Sequence, residues 1–410
     1  MTASTSTNGS ERPASHDAGR TDGVYLDHNA TTPLASEALE AMQRWFTEGF
    51  GNPSSVHARG QACAKAVARA RSQVADLFGA IDPGEIVFTS GGTEGLNTSL
   101  WTARQTLPER RTLVISGAEH PAIKAPAERF AREGYVLRTT PVDGQGRLEV
   151  EAALAAIDDD TALVSLLWAN NETGVVIPRE ALVAIGERAR QVGALFHLDA
   201  VQVAGKLPLD VAGLPVDLAS ISGHKFHGPL GTGALYVREG LEVAALLEGG
   251  GQEQGRRGGT TNTPGVVGLG VAAELARQGV ELERKTGQVA ALRDHLEREL
   301  ERRVGPVVVH GAEAERVPHT SNTAFLGLKN DALLLLLSEL GVYVSAGSAC
   351  SSGKRASSPV LTAMGIAPEE AGATLRLSLS RETTRADIEL ALERIEAAVS
   401  QLRRLQPAGT

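Results

Sequence analysis

Two hydrophobic periods alternate along most of the chain. Short apolar, β-branched runs bounded by glycine or polar turns predict strands near 24–27, 85–89, 112–116, 135–141, 162–167, 195–198, 216–221 and 233–237. Helical spacing predicts helices over 36–46 and 61–78, after Gly91-Gly92 and after Pro121, around 150–157 and over 179–192. Ser36 is placed to cap the first of these. From Thr263 a helical pattern continues to Arg303 and predicts one long helix. Sparser strands follow near 307–310, 320–325, 343–345 and 374–379, with helices over 331–340 and after Thr384. Thr384 and Asp387 have the spacing of a capping box, and Ile388, Leu392, Ile395, Val399 and Leu402 then share one face.

Alternation of strand and helix predicts an α/β layer with a mostly parallel sheet. The later, sparser elements predict a smaller α+β unit. The expected division is 36–282 for the large α/β domain, with 23–35 and 283–410 forming the small one. Residues 1–22 are rich in Ser, Thr, Ala and Gly, without the apolar core of a signal peptide, and read as a disordered tail. No internal repeat is visible.

Composition narrows the class. A chain of 410 residues is long enough for two domains with substantial cores. The formal charge of −9 disfavours nucleic acid as a partner, which wants a basic face. Nowhere do apolar residues run long enough to span a membrane. Two cysteines are too few for a disulfide framework and suit a reducing, cytoplasmic setting. Cys63 lies among alanines on a helix and reads as inert packing. Cys350 lies among small and polar residues near Lys354 and Arg355, cations that favour a thiolate. No metal site is expected.

The chemistry gathers at strand ends. Strand 216–221 runs straight into Ser222-Gly223-His224-Lys225. A lysine there is expensive to desolvate unless something holds it, although a snorkelling surface lysine is the ordinary alternative. The preceding strand ends in Asp199, with Gln202 shortly after. A lysine able to bind a carbonyl, with an acid able to hold a pyridinium nitrogen, is what pyridoxal phosphate requires of a protein. The turn Gly91-Gly92-Thr93 opens a helix, aiming backbone N–H groups and a hydroxyl at an anion. It has neither the dinucleotide fingerprint nor a Walker lysine. Glu119-His120 and Asn170-Asn171-Glu172 stand at further strand ends, where ligands of parallel sheets bind. The glycine-rich loop 249–262 carries Arg256, Arg257 and Thr260, and suits an anion contact or a subunit junction.

These residues stand in Tyr-Leu-Asp-His-Asn-Ala-Thr-Thr-Pro, Gly-Asn-Pro-Ser-Ser-Val-His, Thr-Ser-Gly-Gly-Thr-Glu and Glu-His-Pro. Then come Asn-Asn-Glu-Thr-Gly-Val-Val, His-Leu-Asp-Ala-Val-Gln, Ser-Gly-His-Lys, Gly-Gly-Gly-Gln-Glu and Gly-Ser-Ala-Cys. In order and spacing, from Val24 to Arg381, the chain resembles the cysteine desulfurases of the NifS/IscS type, a branch of the class V aminotransferases. The resemblance implies the type I PLP-dependent transferase fold, pyridoxal 5'-phosphate as cofactor, and a homodimer. By it Lys225 would carry the cofactor covalently, Asp199 would pair with the ring nitrogen, and His120 would stack over the ring. Asn171 and Gln202 would meet the ring's oxygen side. Gly92, Thr93, Ser222 and His224 would hold the phosphate, with Thr260 reaching in from the other subunit. Arg376 would clamp the substrate carboxylate, with Asn52 and Asn322 as lesser candidates beside it.

The implied reaction converts L-cysteine to L-alanine and leaves a persulfide on Cys350 for a sulfur-acceptor protein. Lys225 and His120 would move protons. Fe–S cluster assembly, tRNA thiolation and DNA sulfur modification are all compatible acceptor pathways. Two positions depart from the family pattern: Ile177, where glutamine is usual, and Pro359, where His or Tyr is usual. The second bears on how the cysteine segment is anchored. Alternatives are another class V lyase or aminotransferase, or a catalytically idle scaffold of the same fold.

Overall fold

Strands that are apolar on both faces need cover on both sides, and that requirement shapes the molecule. The computed structural model describes residues 23–347 and 358–405. The expected tail over 1–22 and the segment with Cys350, Lys354 and Arg355 lie outside the described residues. The chain opens with β1 (Val24–Tyr25), α1 (Ser36–Phe46) and α2 (Ala58–Phe78). Alternation follows: β2 (Ile86–Thr89), α3 (Gly92–Thr106), β3 (Thr112–Ser116), α4 (Pro121–Arg132), β4 (Val136–Thr140), α5 (Val150–Ala155), β5 (Thr161–Leu167) and α6 (Arg179–Val192). Then come β6 (Leu195–Asp199), β7 (Leu218–Ser222) and β8 (Gly233–Val237). Helices α7 (Thr263–Thr286) and α8 (Gln288–Val304) lead to β9 (Val307–Val309), β10 (Thr320–Phe325), α9 (Asn330–Glu339) and β11 (Val342–Tyr343). Short helices α10 (Pro359–Ala363) and α11 (Pro368–Ala371), strand β12 (Thr374–Ser378) and α12 (Arg385–Leu405) complete it.

Seven strands form the main sheet in the order β2-β8-β7-β6-β5-β3-β4. Only β8 runs against its neighbours; the rest are parallel. One face buries Phe78, Val164, Leu198, Ile221 and Leu269, supplied by α2, α7 and the strands. The opposite face buries Leu96, Leu100, Ile123 and Phe130 from α3 and α4. A separate core gathers Leu26, Leu296, Phe325, Leu333, Leu377 and Ile388 around the antiparallel sheet β12-β10-β9. The chain's first strand joins that later part, because β1 pairs in parallel with β11.

Three expectations meet corrections or support here. The single helix over 263–303 is two helices. Gly287 turns left-handed between them at φ +59°, and the Glu283 carboxylate caps the second by accepting from the N–H groups of Val289 and Ala290 at 2.9 and 3.0 Å. Ser36 is the first helical residue rather than the cap, and its hydroxyl donates to Glu37 instead. The capping box at the last helix forms as expected: Thr384 N–H donates to Asp387 Oδ2 at 2.8 Å, and Asp387 N–H to Thr384 Oγ1 at 3.2 Å. Ile177, one of the two departures, is simply buried in the first core. Among the described residues no helix is long and apolar enough to cross a membrane.

Helices α2 and α7 pack closely because of a glycine. A Cβ at Gly270 would lie 2.7 Å from both Cα and Cβ of Ala70. Overpacking at such a contact costs about 1–3 kcal/mol, against a gain of roughly 1 kcal/mol in helix propensity. Gly270→Ala is therefore expected to lower stability in urea unfolding. An unchanged or raised midpoint would show that the helices have room to spare.

Candidate active site

The carboxyl ends of the parallel strands open onto a cavity of about 390 Å³. Its walls include Gly92, Thr93, His120, Asn171, Asp199, Gln202, Ser222, His224, Lys225 and Arg376, together with Asn29 and Gly347. Residues from Asn29 to Arg376 thus converge on one place.

Lys225 ends a short 3-10 turn, Gly223–Lys225, directly after β7. Its Nζ donates to the carbonyls of Asn29 at 2.6 Å and Ala30 at 2.8 Å. Asn29 is 2% exposed. Its carbonyl also accepts from Gln202 Nε2 at 3.1 Å. Its own amide donates to the Asn171 carbonyl and to Thr320 Oγ1, and its Oδ1 meets His319 Nε2 at 2.8 Å. Sequence reasoning missed this residue, because Asp27-His-Asn29 reads locally as an ordinary polar turn.

Asp199 closes β6 and is buried, with Oδ1 accepting from Val201 N–H at 2.9 Å. Burial pushes its carboxyl up to about 6, opposed by that hydrogen bond and by the Lys225 charge. An N–H⁺ brought against it would favour the carboxylate. Glu119 lies nearby, and burial pushes it up to about 8, with the Asp199 charge adding to the shift. Glu119 Oε1 accepts from Leu167 N–H at 2.8 Å, which ties β5 to the turn before α4.

His120 is the N-cap of α4: its Nδ1 accepts from Ala122 N–H at 3.1 Å. Burial, and secondarily the Lys225 charge, hold it down to about 4, so the ring is neutral. With Nδ1 accepting, the assigned tautomer carries its proton on Nε2 and presents a donor to the cavity. Lys206 is a second residue the sequence did not reveal. Burial, then the charges of Lys225 and Arg376, lower it to about 7. Its Nζ donates to Gln202 Oε1 at 3.1 Å, which fixes the orientation of that amide.

An anion cradle lies at the other end. Gly92 is the first residue of α3, and a Cβ there would sit 2.6 Å from Val201 Cγ2. Its N–H and that of Thr93 belong to the helix N-terminus, where the backbone attracts negative charge. Ser222 and His224 face the same space. Burial and then Lys225 lower His224 to about 4, and its Nδ1 meets Thr31 Oγ1 at 3.1 Å. Arg376, on β12, donates from Nη2 to Asp27 Oδ1 at 2.7 Å and from Nη1 to the Asn171 carbonyl at 2.9 Å. Its buried Nε and the buried Asn171 Oδ1 have no hydrogen-bond partner among the described residues. Lysine, buried acid, helix N-terminus and orphaned polar atoms together fit pyridoxal phosphate.

Three candidates stand apart. Thr260 is exposed and borders a separate depression with Ser90 and Arg257. Asn52 is exposed, and its Oδ1 accepts from Ser54 N–H at 2.9 Å within its own turn. Asn322 pairs with Arg376 across the sheet, but it is buried behind the cavity and donates to the Glu172 carbonyl at 3.3 Å.

The family model for class-V aminotransferases matches residues 24–391. A cysteine desulfurase of Cereibacter sphaeroides is 48% identical over 94% of this chain and 98% of its own length. The cysteine desulfurase NifS of Azotobacter vinelandii is 44% identical over 94% of each chain. A solved NifS-like protein superposes with a TM-score of 0.85 at 35% identity, covering 92% of this chain and 100% of its own. With the type I PLP architecture and this cavity, those matches place the chain in the class-V aminotransferase family, in the group whose curated members are named cysteine desulfurases.

Proposed function

We propose that the protein is a PLP-dependent cysteine desulfurase that converts L-cysteine to L-alanine and retains the sulfur as a persulfide on Cys350. The carrying observation is the convergence of Lys225, Asp199, the Gly92–Thr93 helix start and Arg376 on one cavity. Gly347, just before the segment with Cys350, is part of its wall. When bound, pyridoxal phosphate supplies an electron sink for bonds breaking at the substrate's carbons. Asp199 holds the proton of the ring nitrogen in place. Ser222, His224, Thr93 and the α3 N-terminus receive the phosphate. Arg376, pre-oriented by Asp27, is the cation in the cavity wall that would meet the substrate carboxylate. Lys225 Nζ, held by two carbonyls, is the base that takes the substrate's α-proton. His120 Nε2–H donates toward the departing fragment. The Cys350 thiolate attacks the substrate sulfur: an S–S bond forms, the C–S bond breaks with its electrons kept on carbon, and L-alanine leaves.

Thr260 is exposed and is not among the walls of its own chain's cavity, which suits a homodimer in which each subunit completes the other's phosphate site. The persulfide then passes to an acceptor protein, and a chemistry that depends on a free thiol suits a reducing cytoplasm.

Borohydride reduction followed by peptide mass spectrometry is expected to find the cofactor on Lys225, and labelling of another lysine would refute the assignment. Cys350→Ala is expected to abolish alanine and sulfide release while retaining the cofactor. Cys63→Ala should behave as wild type, because Cys63 is fully buried and its Sγ donates to the Gly49 carbonyl at 3.3 Å. Normal turnover by Cys350→Ala would sink the persulfide route. In heterodimers that join a Thr260→Ala subunit to a Lys225→Ala subunit, both lesions fall on one site, so the other site should work. Verified heterodimers without activity would count against sharing.

A further inference from the structure

The α3 N-terminus, which receives the phosphate in the reading above, already carries a negative charge of its own. Glu94 is the third residue of α3, and its Oε2 accepts from the Ser90 N–H at 2.8 Å. Burial favours its neutral form, but hydrogen bonds from Arg257 and Ser90 outweigh burial and hold the carboxyl below the ordinary carboxylate range. Glu94 is therefore ionised at neutral pH. Arg257 meets it with two bonds: Nε donates to Oε1 at 3.0 Å and Nη2 to Oε2 at 3.3 Å. The third nitrogen, Nη1, donates to the Gly258 carbonyl at 3.2 Å. Arg257 is brought there by a loop that is fastened elsewhere. Glu253 and Gln254 adopt left-handed backbone at φ +48° and +60°, which residues with a Cβ hold only where the surroundings fix them. The Glu253 carboxylate does the fixing. Arg71 donates to it from Nη1 and Nη2 at 2.6 and 2.7 Å, and Phe88 N–H, on the edge strand β2, donates to Oε2 at 3.0 Å.

Two anions at one helix end compete for the same partial positive charge. We propose that Arg257 is a positioning residue for the cofactor phosphate: it acts through Glu94, whose charge it cancels, so that the α3 N-terminus stays attractive to a second anion. This rests on the reading of the cavity as a pyridoxal phosphate site. The contacts separate two properties of Glu94. Its oxygen holds the Ser90 N–H, just ahead of Gly91-Gly92-Thr93, and so fixes the shape of the turn. Its charge, in the first turn of α3, opposes a phosphate arriving at Gly92 and Thr93. Paired with a guanidinium, the carboxylate presents no net charge. The two side chains are only 8% and 25% exposed, so solvent would screen an unpaired Glu94 poorly. Arg257 is not among the walls of its own chain's cavity, which suits an influence exerted through Glu94 rather than by contact with the phosphate.

The test titrates full-length protein, freed of cofactor, with pyridoxal 5'-phosphate and with pyridoxal, which lacks the phosphate, and reads binding by absorbance. Arg257→Ala should weaken pyridoxal phosphate by about three- to tenfold. Pyridoxal should bind as to wild type, because it brings no anion to α3. Adding Glu94→Gln keeps an oxygen for the Ser90 N–H and removes the charge. The double variant should therefore return to within about twofold of wild type. Arg257→Lys, which keeps the positive charge, should lose less than Arg257→Ala. Arg257→Gln removes the charge with a smaller change of shape, and carries the test if Arg257→Ala fails to fold. An unchanged preference for the phosphorylated ligand in Arg257→Ala and Arg257→Gln would overturn the proposal. So would equal weakening of both ligands, which marks a merely structural role, or a double variant no better than Arg257→Ala. Wild type that bound the two ligands alike would remove the phosphate site itself, and the proposal with it.

Discussion

A buried polar group that loses its partner costs about 1–3 kcal/mol, and this cost is concentrated at Asn29. Its N–H is taken by Ser378 Oγ, its carbonyl by Lys225 and Gln202, its amide by the Asn171 carbonyl and Thr320, and its Oδ1 by His319. Those partners come from the ends of β5, β6 and β7 and from β10 and β12. A few residues of the N-terminal segment therefore set the distance between the main sheet and the smaller one. Asp27, two residues earlier, does the same for Arg376. The cavity exists because this turn satisfies both sheets at once.

The electrostatics of that cavity have one dominant cause. For Asp199, Glu119, His120, Lys206 and His224 alike, burial is the largest influence, and in every case it favours the neutral form. Direct charge contacts modify this but do not reverse it. Such a pocket is poised to take up charge from what it binds: a ring proton opposite Asp199, an anion at the α3 start, a carboxylate at Arg376. Pre-aligned N–H groups and a pre-oriented guanidinium offset the desolvation that each of these would otherwise incur.

Local patterning made the strands, the helices and the chemistry at strand ends legible. Lys225 and Asp199 each close a strand whose apolar run is plain in the sequence, and Gly91-Gly92-Thr93 is a turn by composition alone. Asn29 and Asp27 were harder. Their partners lie far along the chain, so a window around each shows only polar turn residues. Lys206 was hidden in the same way, because a lysine in a Gly-Lys turn looks solvated until its surroundings are known. The break at Gly287 escaped notice because the cap that rewards it comes from Glu283, inside the preceding helix. Thr260 and Asn52 came from family resemblance, and a single chain leaves both outside the cavity.

The one reversed strand has a consequence for how the molecule is made. β2 sits at the edge of the main sheet and pairs only with β8. The strand emerges early in synthesis, but its sole sheet neighbour follows more than a hundred residues later. Contacts so distant in sequence form slowly. The Gly91–Thr93 turn is therefore among the first parts of the cavity to be synthesised, and it joins the sheet only when β8 is complete.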